Sequence, residues 1–188
     1  DLVVAGAGGV RLMRQESPSS FTDVTAETKL PANVVNAAYT GAWAADIEAD
    51  GDLDIVLGSQ QGNPTVLRNN GDGTFLDIHP FTGTSGLAGF AWADLDQDGD
   101  PDASLLDSTG VLAVFSNERQ GQFSERSLPP NLPAAMGINV GDINWDGGFD
   151  LVILQTDGTL TRLSDKDHGA GWEQAEVGRV GTYPKVPG

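Results

Sequence analysis

Cysteine is absent from this sequence, which removes disulfides, thiolate-ligated zinc, iron–sulfur clusters and thiol nucleophiles together. Basic residues are scarce. Ten Lys and Arg stand against 27 Asp and Glu, a formal charge of −17, whereas a nucleic-acid or anionic-membrane partner requires a basic face that displaces counterions from phosphates. Neither partner is expected. Histidine is limited to His79 and His168. No nucleophile is readable beside either, so both are taken as surface residues. The longest uncharged apolar stretch opens at Leu2 and is broken by Arg11, well short of the roughly 20 residues of a spanning helix, so membrane insertion is not expected. The chain begins at Asp1 rather than Met and shows no secretory leader, which gives it the look of a mature, processed or excerpted chain.

What remains is a chain of 188 residues, 39% of them hydrophobic. That is enough for one globular domain on the usual scale of roughly 100–200 residues. The acid is concentrated. Asp46–Asp54 (DIEADGDLD), Asp94–Asp102 (DLDQDGDPD) and Asp142–Asp150 (DINWDGGFD) hold thirteen of the 27 acids and no Lys or Arg. A single acidic run is usually a solvated face, but these three share a register. Asp46, Asp94 and Asp142 lie 48 residues apart, and the same step relates Asp50, Asp98 and Asp146, the glycines 51, 99 and 147, and Asp54, Asp102 and Asp150. Glycines 41, 89 and 137 precede the loops and glycines 62, 110 and 158 follow them in the same step. A period of this size marks a solenoid, propeller or array. Asp1–Gly6 aligns with Asp54–Gly58, which makes the opening segment a fourth, degenerate unit.

Each unit reads as short strands. A compact apolar run follows every loop (Ile55–Leu57, Ala103–Leu106, Leu151–Leu154), as suits a strand buried on both faces. A second run comes after a glycine turn (Val66–Leu67, Val111–Phe115, Leu160–Leu163), and a third strand opens on Phe21, Phe75, Phe123 or Trp172. Asn69–Gly73 (NNGDG) is a strong hairpin signal. The stretches 41–45 and 89–93 are read as the fourth strand of the unit before them. The expected fold is all-β, a propeller-type repeat of about four four-stranded antiparallel blades, with units at approximately 1–45, 46–93, 94–141 and 142–188. Only Ala26–Ala38 is left open as helix.

The loops have the chemistry of a hard cation site. Ca²⁺ takes six to eight oxygens, and alternate residues of a tight loop aim carboxylates at one centre while glycine supplies the turn. The second loop then offers the side chains of Asp94, Asp96 and Asp98, the main-chain carbonyl of Asp100 and the carboxylate of Asp102. The third offers Asp142, Asn144, Asp146, the Gly148 carbonyl and Asp150. The first offers Asp46, Glu48, Asp50, the Asp52 carbonyl and Asp54. Up to three Ca²⁺ ions are expected. An EF-hand needs Glu at position 12 of the loop, where this chain has Leu57, Leu105 and Ile153, so the helix–loop–helix reading fails and the dockerin reading fails with it. Clustered carboxylates in a glycine loop also suit a cation better than acid–base catalysis, which needs two carboxylates in contrasting environments.

With these loops, their flanking glycines and the apolar strand after each, the chain resembles the FG-GAP/VCBS repeats, whose calcium-binding blades are similar to those of integrin α-subunits. More narrowly, Phe21–Thr25 (FTDVT), Arg68–Phe75 (RNNGDGTF) and Ala93–Asp100 (ADLDQDGD) resemble the ASPIC/UnbV group of acidic, secreted or cell-envelope repeat proteins. The resemblance covers the chain up to about Val180. It implies a propeller, Ca²⁺ in the loop between the first two strands of each motif, a secreted, periplasmic or cell-surface location, and an adhesion or protein-interaction role toward a protein or glycan ligand. The alternatives it leaves are the non-catalytic propeller portion of a secreted hydrolase or polysaccharide lyase, and a fixed subunit of a cell-envelope complex.

Val4–Arg11 only superficially resembles a dinucleotide fingerprint, since Arg11 stands at the third glycine position and no helix follows. Trp43 and Trp92 are read as packing in the strand before the loop. Trp145, inside the third loop, either caps a blade or presents an aromatic to a partner. Asp1 aligns with the ninth loop position, so a complete motif calls for eight residues before it, and the next loop in register begins beyond Gly188. The chain is therefore expected to be part of a larger propeller, completed by further blades or by a partner chain.

The loops also rank. The second has the fullest set of side-chain carboxylates, the third substitutes an amide, and the first must fit the longer Glu48. Asp98→Ala or Asp102→Ala is expected to cost more calcium-dependent stability than Asp142→Ala, a comparison that calorimetric titration of the three single variants decides.

Overall fold

In the computed structural model, residues 1–181 are described, and they form two compact units. One takes Asp1–Ala88 with Arg119–Gln122, and the other takes Gly89–Glu118 with the described residues from Phe123 on. In the first unit β1 (Leu2–Gly6), β2 (Gly9–Ser17) and β3 (Ser20–Asp23) make a three-stranded antiparallel sheet. A four-stranded sheet follows, β4 (Tyr39–Ala45), β5 (Asp54–Ser59), β6 (Thr65–Asn69) and β7 (Phe75–Ile78). The stretch left open as helix holds a 3₁₀ turn at Thr25–Thr28 and one helical turn, α1 (Ala32–Val35). Tyr39 pins that turn to the sheet, its hydroxyl donating to the Val34 carbonyl at 2.7 Å.

Two more four-stranded sheets follow. They are β8 (Leu87–Ala93), β9 (Asp102–Asp107), β10 (Leu112–Asn117) and β11 (Phe123–Arg126), then β12 (Ala135–Gly141), β13 (Asp150–Gln155), β14 (Thr159–Lys166) and β15 (Gly171–Arg179). In every sheet sequence neighbours are hydrogen-bonded neighbours, a simple meander. The chain is thus an all-β repeat of antiparallel blades, as its periodicity requires.

The sheets are phased one strand earlier than the sequence units. They open at Tyr39, Leu87 and Ala135, so 41–45 and 89–93 are the first strands of the sheets that follow, not the fourth strands of those before. The cause is the acidic loop, which joins two antiparallel neighbours as a hairpin connection: Ala45 pairs with Asp54 and Trp43 with Val56. The first sheet has three strands among the described residues. Residues 182–188 of the last sequence unit lie outside the described residues.

The cores follow from the apolar runs. Val10, Leu12, Tyr39, Ile55, Leu57 and Leu67 cluster in the first unit, and Leu95, Leu106, Val114, Leu151, Ile153 and Leu163 in the second. Each such side chain contributes about 1.5–3 kcal/mol on burial. Ala103, Ser104 and Leu105 of β9 are all fully buried, which explains an apolar run without alternation. The two strand tryptophans are half-buried as expected. Trp92 lies 6.2 Å from Phe90 and 6.1 Å from Phe123, ring centre to ring centre.

The glycine column at 62, 110 and 158 turns each second hairpin with φ of 82°, 90° and 87°. At Gly110 a Cβ would also sit 2.6 Å from the Ala135 carbonyl oxygen, whereas at Gly62 it would meet nothing within 4 Å. Both replacements by alanine carry backbone strain, of order 1–3 kcal/mol, and only one adds a collision with main chain. Gly110→Ala should therefore lower the urea midpoint clearly more than Gly62→Ala.

Candidate metal centre

The same hydrogen bonds wind all three acidic loops. A carboxylate oxygen of the first residue accepts the N–H of the sixth: Asp46 from Gly51 at 2.9 Å, Asp94 from Gly99 at 3.1 Å and Asp142 from Gly147 at 3.1 Å. The fifth accepts the N–H of the seventh, at 2.9 Å in each case, for Asp50 from Asp52, Asp98 from Asp100 and Asp146 from Gly148. Such turns demand left-handed backbone, and the sixth residue supplies it as glycine with φ of 94°, 96° and 91°. The fourth residue is left-handed as well, without glycine: Ala49 (56°), Gln97 (61°) and Trp145 (64°). Sequence reasoning did not anticipate this. The fourth position is exposed in every loop, and Trp145, 90% exposed, presents its ring to solvent rather than capping a blade.

The ninth residue is a clasp. Asp54 accepts from the Ile47 N–H at 2.8 Å and the Asn69 N–H at 2.7 Å. Asp102 accepts from the Leu95 N–H at 3.0 Å and the Asn117 N–H at 3.1 Å. Asp150 accepts from the Ile143 N–H at 2.8 Å and the Ser164 hydroxyl at 2.5 Å. Each closing aspartate is 1% exposed and ties its own loop to the third strand of its sheet.

Only the second loop gathers its carboxylates closely. Asp94, Asp96 and Asp102 each bring one oxygen within 4.8 Å of the others, and no other set of three acids or histidines among the described residues does so. Burial pushes the Asp102 carboxyl up to about 6; its main-chain donors oppose the shift and the charge of Asp96 adds to it. Burial also raises Asp96, helped by the charge of Asp98. Asp94 Oδ1 is buried with no hydrogen-bond partner. An all-oxygen cluster with repelling charges and one orphaned acceptor fits a hard divalent cation. Asp94, Asp96 and Asp102 would hold it.

The other loops spend their donors differently. Glu48 turns to Arg68, with Oε1 3.7 Å from Nε; burial raises its carboxyl and the Arg68 charge pulls it back. Asn144 donates its side-chain amide to Asp146 at 2.6 Å. The Gly148 N–H, and then Asn144, hold the Asp146 carboxyl below its usual range. At Gly148 itself a Cβ would lie 2.5 Å from Gln97 Nε2 of the second loop, so glycine at the seventh position makes room for a neighbouring loop.

Part of the surround was not foreseen. The turn between β14 and β15 lies against the second loop, with His168 Nδ1 3.0 Å from the Asp96 carbonyl. His168 is exposed, as expected, yet anchored; exposed His79 similarly places Nδ1 3.2 Å from the Pro64 carbonyl. Asp165, in the same region, forms a buried ion pair with Arg126. The Arg126 guanidinium stacks 4.1 Å above the Trp172 ring, and the Trp172 indole N–H donates to the Ser127 carbonyl at 3.0 Å. Arg126 thus supplies a fixed positive charge that lowers the cost of ionising Asp102 and Asp96.

The family described as FG-GAP-like repeat matches residues 1–57, 46–104 and 94–153, three overlapping copies that track the acidic loops. No curated protein matches the chain.

The geometry separates two kinds of aspartate. Asp102→Ala strands two buried N–H donors, at about 1–3 kcal/mol for an unsatisfied group, and should destabilise the chain even in excess chelator. Asp94→Asn removes a repelling charge and keeps an acceptor for Gly99, so its chelated stability should equal or exceed that of the parent. Urea unfolding in EDTA distinguishes the two.

Proposed function

Because the chain belongs to the FG-GAP-like repeat family, we propose that it is a calcium-stabilised interaction module that works outside the cytoplasm and performs no catalysis itself. The observation that carries this reading is the meeting of Asp94, Asp96 and Asp102 around a buried, unpartnered Asp94 oxygen. The second loop is the principal Ca²⁺ site, and the first and third are weaker ones. FG-GAP-like repeats are typically extracellular, which supports a secreted, periplasmic or cell-surface setting, where dissociation constants of roughly 10⁻⁴–10⁻³ M for Ca²⁺ are usual. Among the described residues no helix is long and apolar enough to cross a membrane.

On this reading the 48-residue units belong to one propeller, completed by further blades or a partner chain, and calcium sets the hairpin ends that carry the exposed loop residues. The ligand is a protein or a glycan. Trp145, held out by left-handed backbone, supports the interaction role, since exposed tryptophan is enriched among residues that dominate binding energy. The narrower likeness to the ASPIC/UnbV group rests on the segments 21–25, 68–75 and 93–100, and that to integrin-type blades on the acidic loops, their flanking glycines and the apolar strand after each.

A site with a dissociation constant of about 10⁻⁴ M contributes on the order of 1.4 kcal/mol at about 1 mM Ca²⁺. Chelation should lower the melting temperature, Ca²⁺ should restore it and Mg²⁺ should not. Asp94→Asn should abolish most of that response. An unchanged melting curve in excess chelator would remove the calcium reading.

A further inference from the structure

The first acidic loop differs from the other two at a residue that lies outside it. Positions 68, 116 and 164 stand 48 residues apart on β6, β10 and β14, and they are Arg, Ser and Ser. In the two later sheets this position faces the acidic loop. The Ser164 hydroxyl donates to Asp150 at 2.5 Å, and Ser116 lines a cavity of about 480 Å³ together with Asp96 and Asp98.

In the first loop the same place is taken by a cation. Arg68 Nε stands 3.7 Å from Glu48 Oε1, within ion-pair reach but beyond a hydrogen bond, and Nη2 donates to Asn70 Oδ1 at 3.0 Å. Nε is buried and has no hydrogen-bond partner. Both side chains of the pair are half-buried, so salt screens the pair less than an exposed one. Glu48 also feels the charges of Asp50 and Asp54, which ties the Arg68 charge to the carboxylates that a metal would need. The cation beside the second loop is placed differently. Arg126 forms its buried ion pair with Asp165, outside the loop, and leaves Asp94, Asp96 and Asp102 free to converge. Among the described residues no three acids of the first loop come together in that way.

We propose that Arg68 is the built-in cation of the first loop: its guanidinium takes the place in the loop's charge balance that a bound metal would take, and so competes with Ca²⁺ there. A guanidinium offers donors only and delocalises one charge over a plane, whereas Ca²⁺ needs six to eight oxygens around a point. Two cations sharing one half-buried loop also repel. The first loop therefore has its carboxylate repulsion relieved at any calcium concentration. This inference rests on the calcium reading of the loops and assigns the weakness of the first one to a single side chain.

Arg68→Ser copies the other two sheets, and Glu48→Asp copies the third residue of the second loop. Titrated calorimetrically with Ca²⁺, the 188-residue chain carrying both changes should bind one more ion than the parent, or bind its weakest ion at least tenfold more tightly. Adding Asp46→Ala should remove the gain, and Arg68→Lys with Glu48→Asp, which keeps the charge, should show none. Arg68→Gln with Glu48→Asp gives the same reading should the serine variant fail to fold. In EDTA, Arg68→Ser should lower the urea midpoint and Arg68→Lys should lower it less. A parent that binds Ca²⁺ beside neutral variants that bind no more, or a lysine variant that gains as much as the serine one, overturns the proposal and leaves the calcium reading standing. A parent that binds none beside a double variant that binds one ion upholds the proposal and overturns calcium at the second loop. Binding by neither overturns both.

Discussion

A carboxylate buried at the root of a strand must find donors for both oxygens, because an ionised group without them is far too costly to keep out of water. The aspartate that ends each acidic loop finds them in two places, on the second residue of its own loop and on the third strand of its sheet. One side chain therefore fixes loop and sheet together. The loop cannot unwind without orphaning a buried carboxylate, and the third strand cannot slide without the same loss. In the second loop the cluster of Asp94, Asp96 and Asp102 is thus held together by a residue whose first task is structural.

Differences among the loops follow from single neighbours. The second loop has Gln97 reaching toward Gly148 and the Arg126–Asp165–Trp172 group close by, and its carboxylates converge. In the first loop the longer Glu48 finds Arg68 instead. In the third, Asn144 satisfies Asp146 with an amide hydrogen. Three sequences on one backbone thus span a range from a gathered carboxylate cluster to a loop that largely neutralises itself through hydrogen bonds.

Periodicity made the strand content, the turn glycines and the acidic cluster of Asp94, Asp96 and Asp102 readable in the sequence. Phase was not readable, because a 48-residue repeat looks the same wherever counting begins; only the pairing of Ala45 with Asp54 shows that the loop is internal to a sheet. The partners at Arg126 and Asp165 were hidden for a related reason. Their register equivalents are unlike them, Ile78 and Gln174 for Arg126 and Asn69 and Asn117 for Asp165, so no column marks them. The left-handed fourth position was hidden too, since Ala, Gln and Trp share no side-chain property that betrays the backbone beneath.

That last mismatch has a use. A site where one backbone shape carries three unlike side chains is an address that can be rewritten. Ala49, Gln97 and Trp145 already show a methyl, an amide and an indole carried by one loop shape. A fluorophore, an affinity tag or a grafted recognition side chain at Ala49 would ride on a rigid hairpin tip without entering either core, which makes the repeat a regular set of mounting points along a single chain.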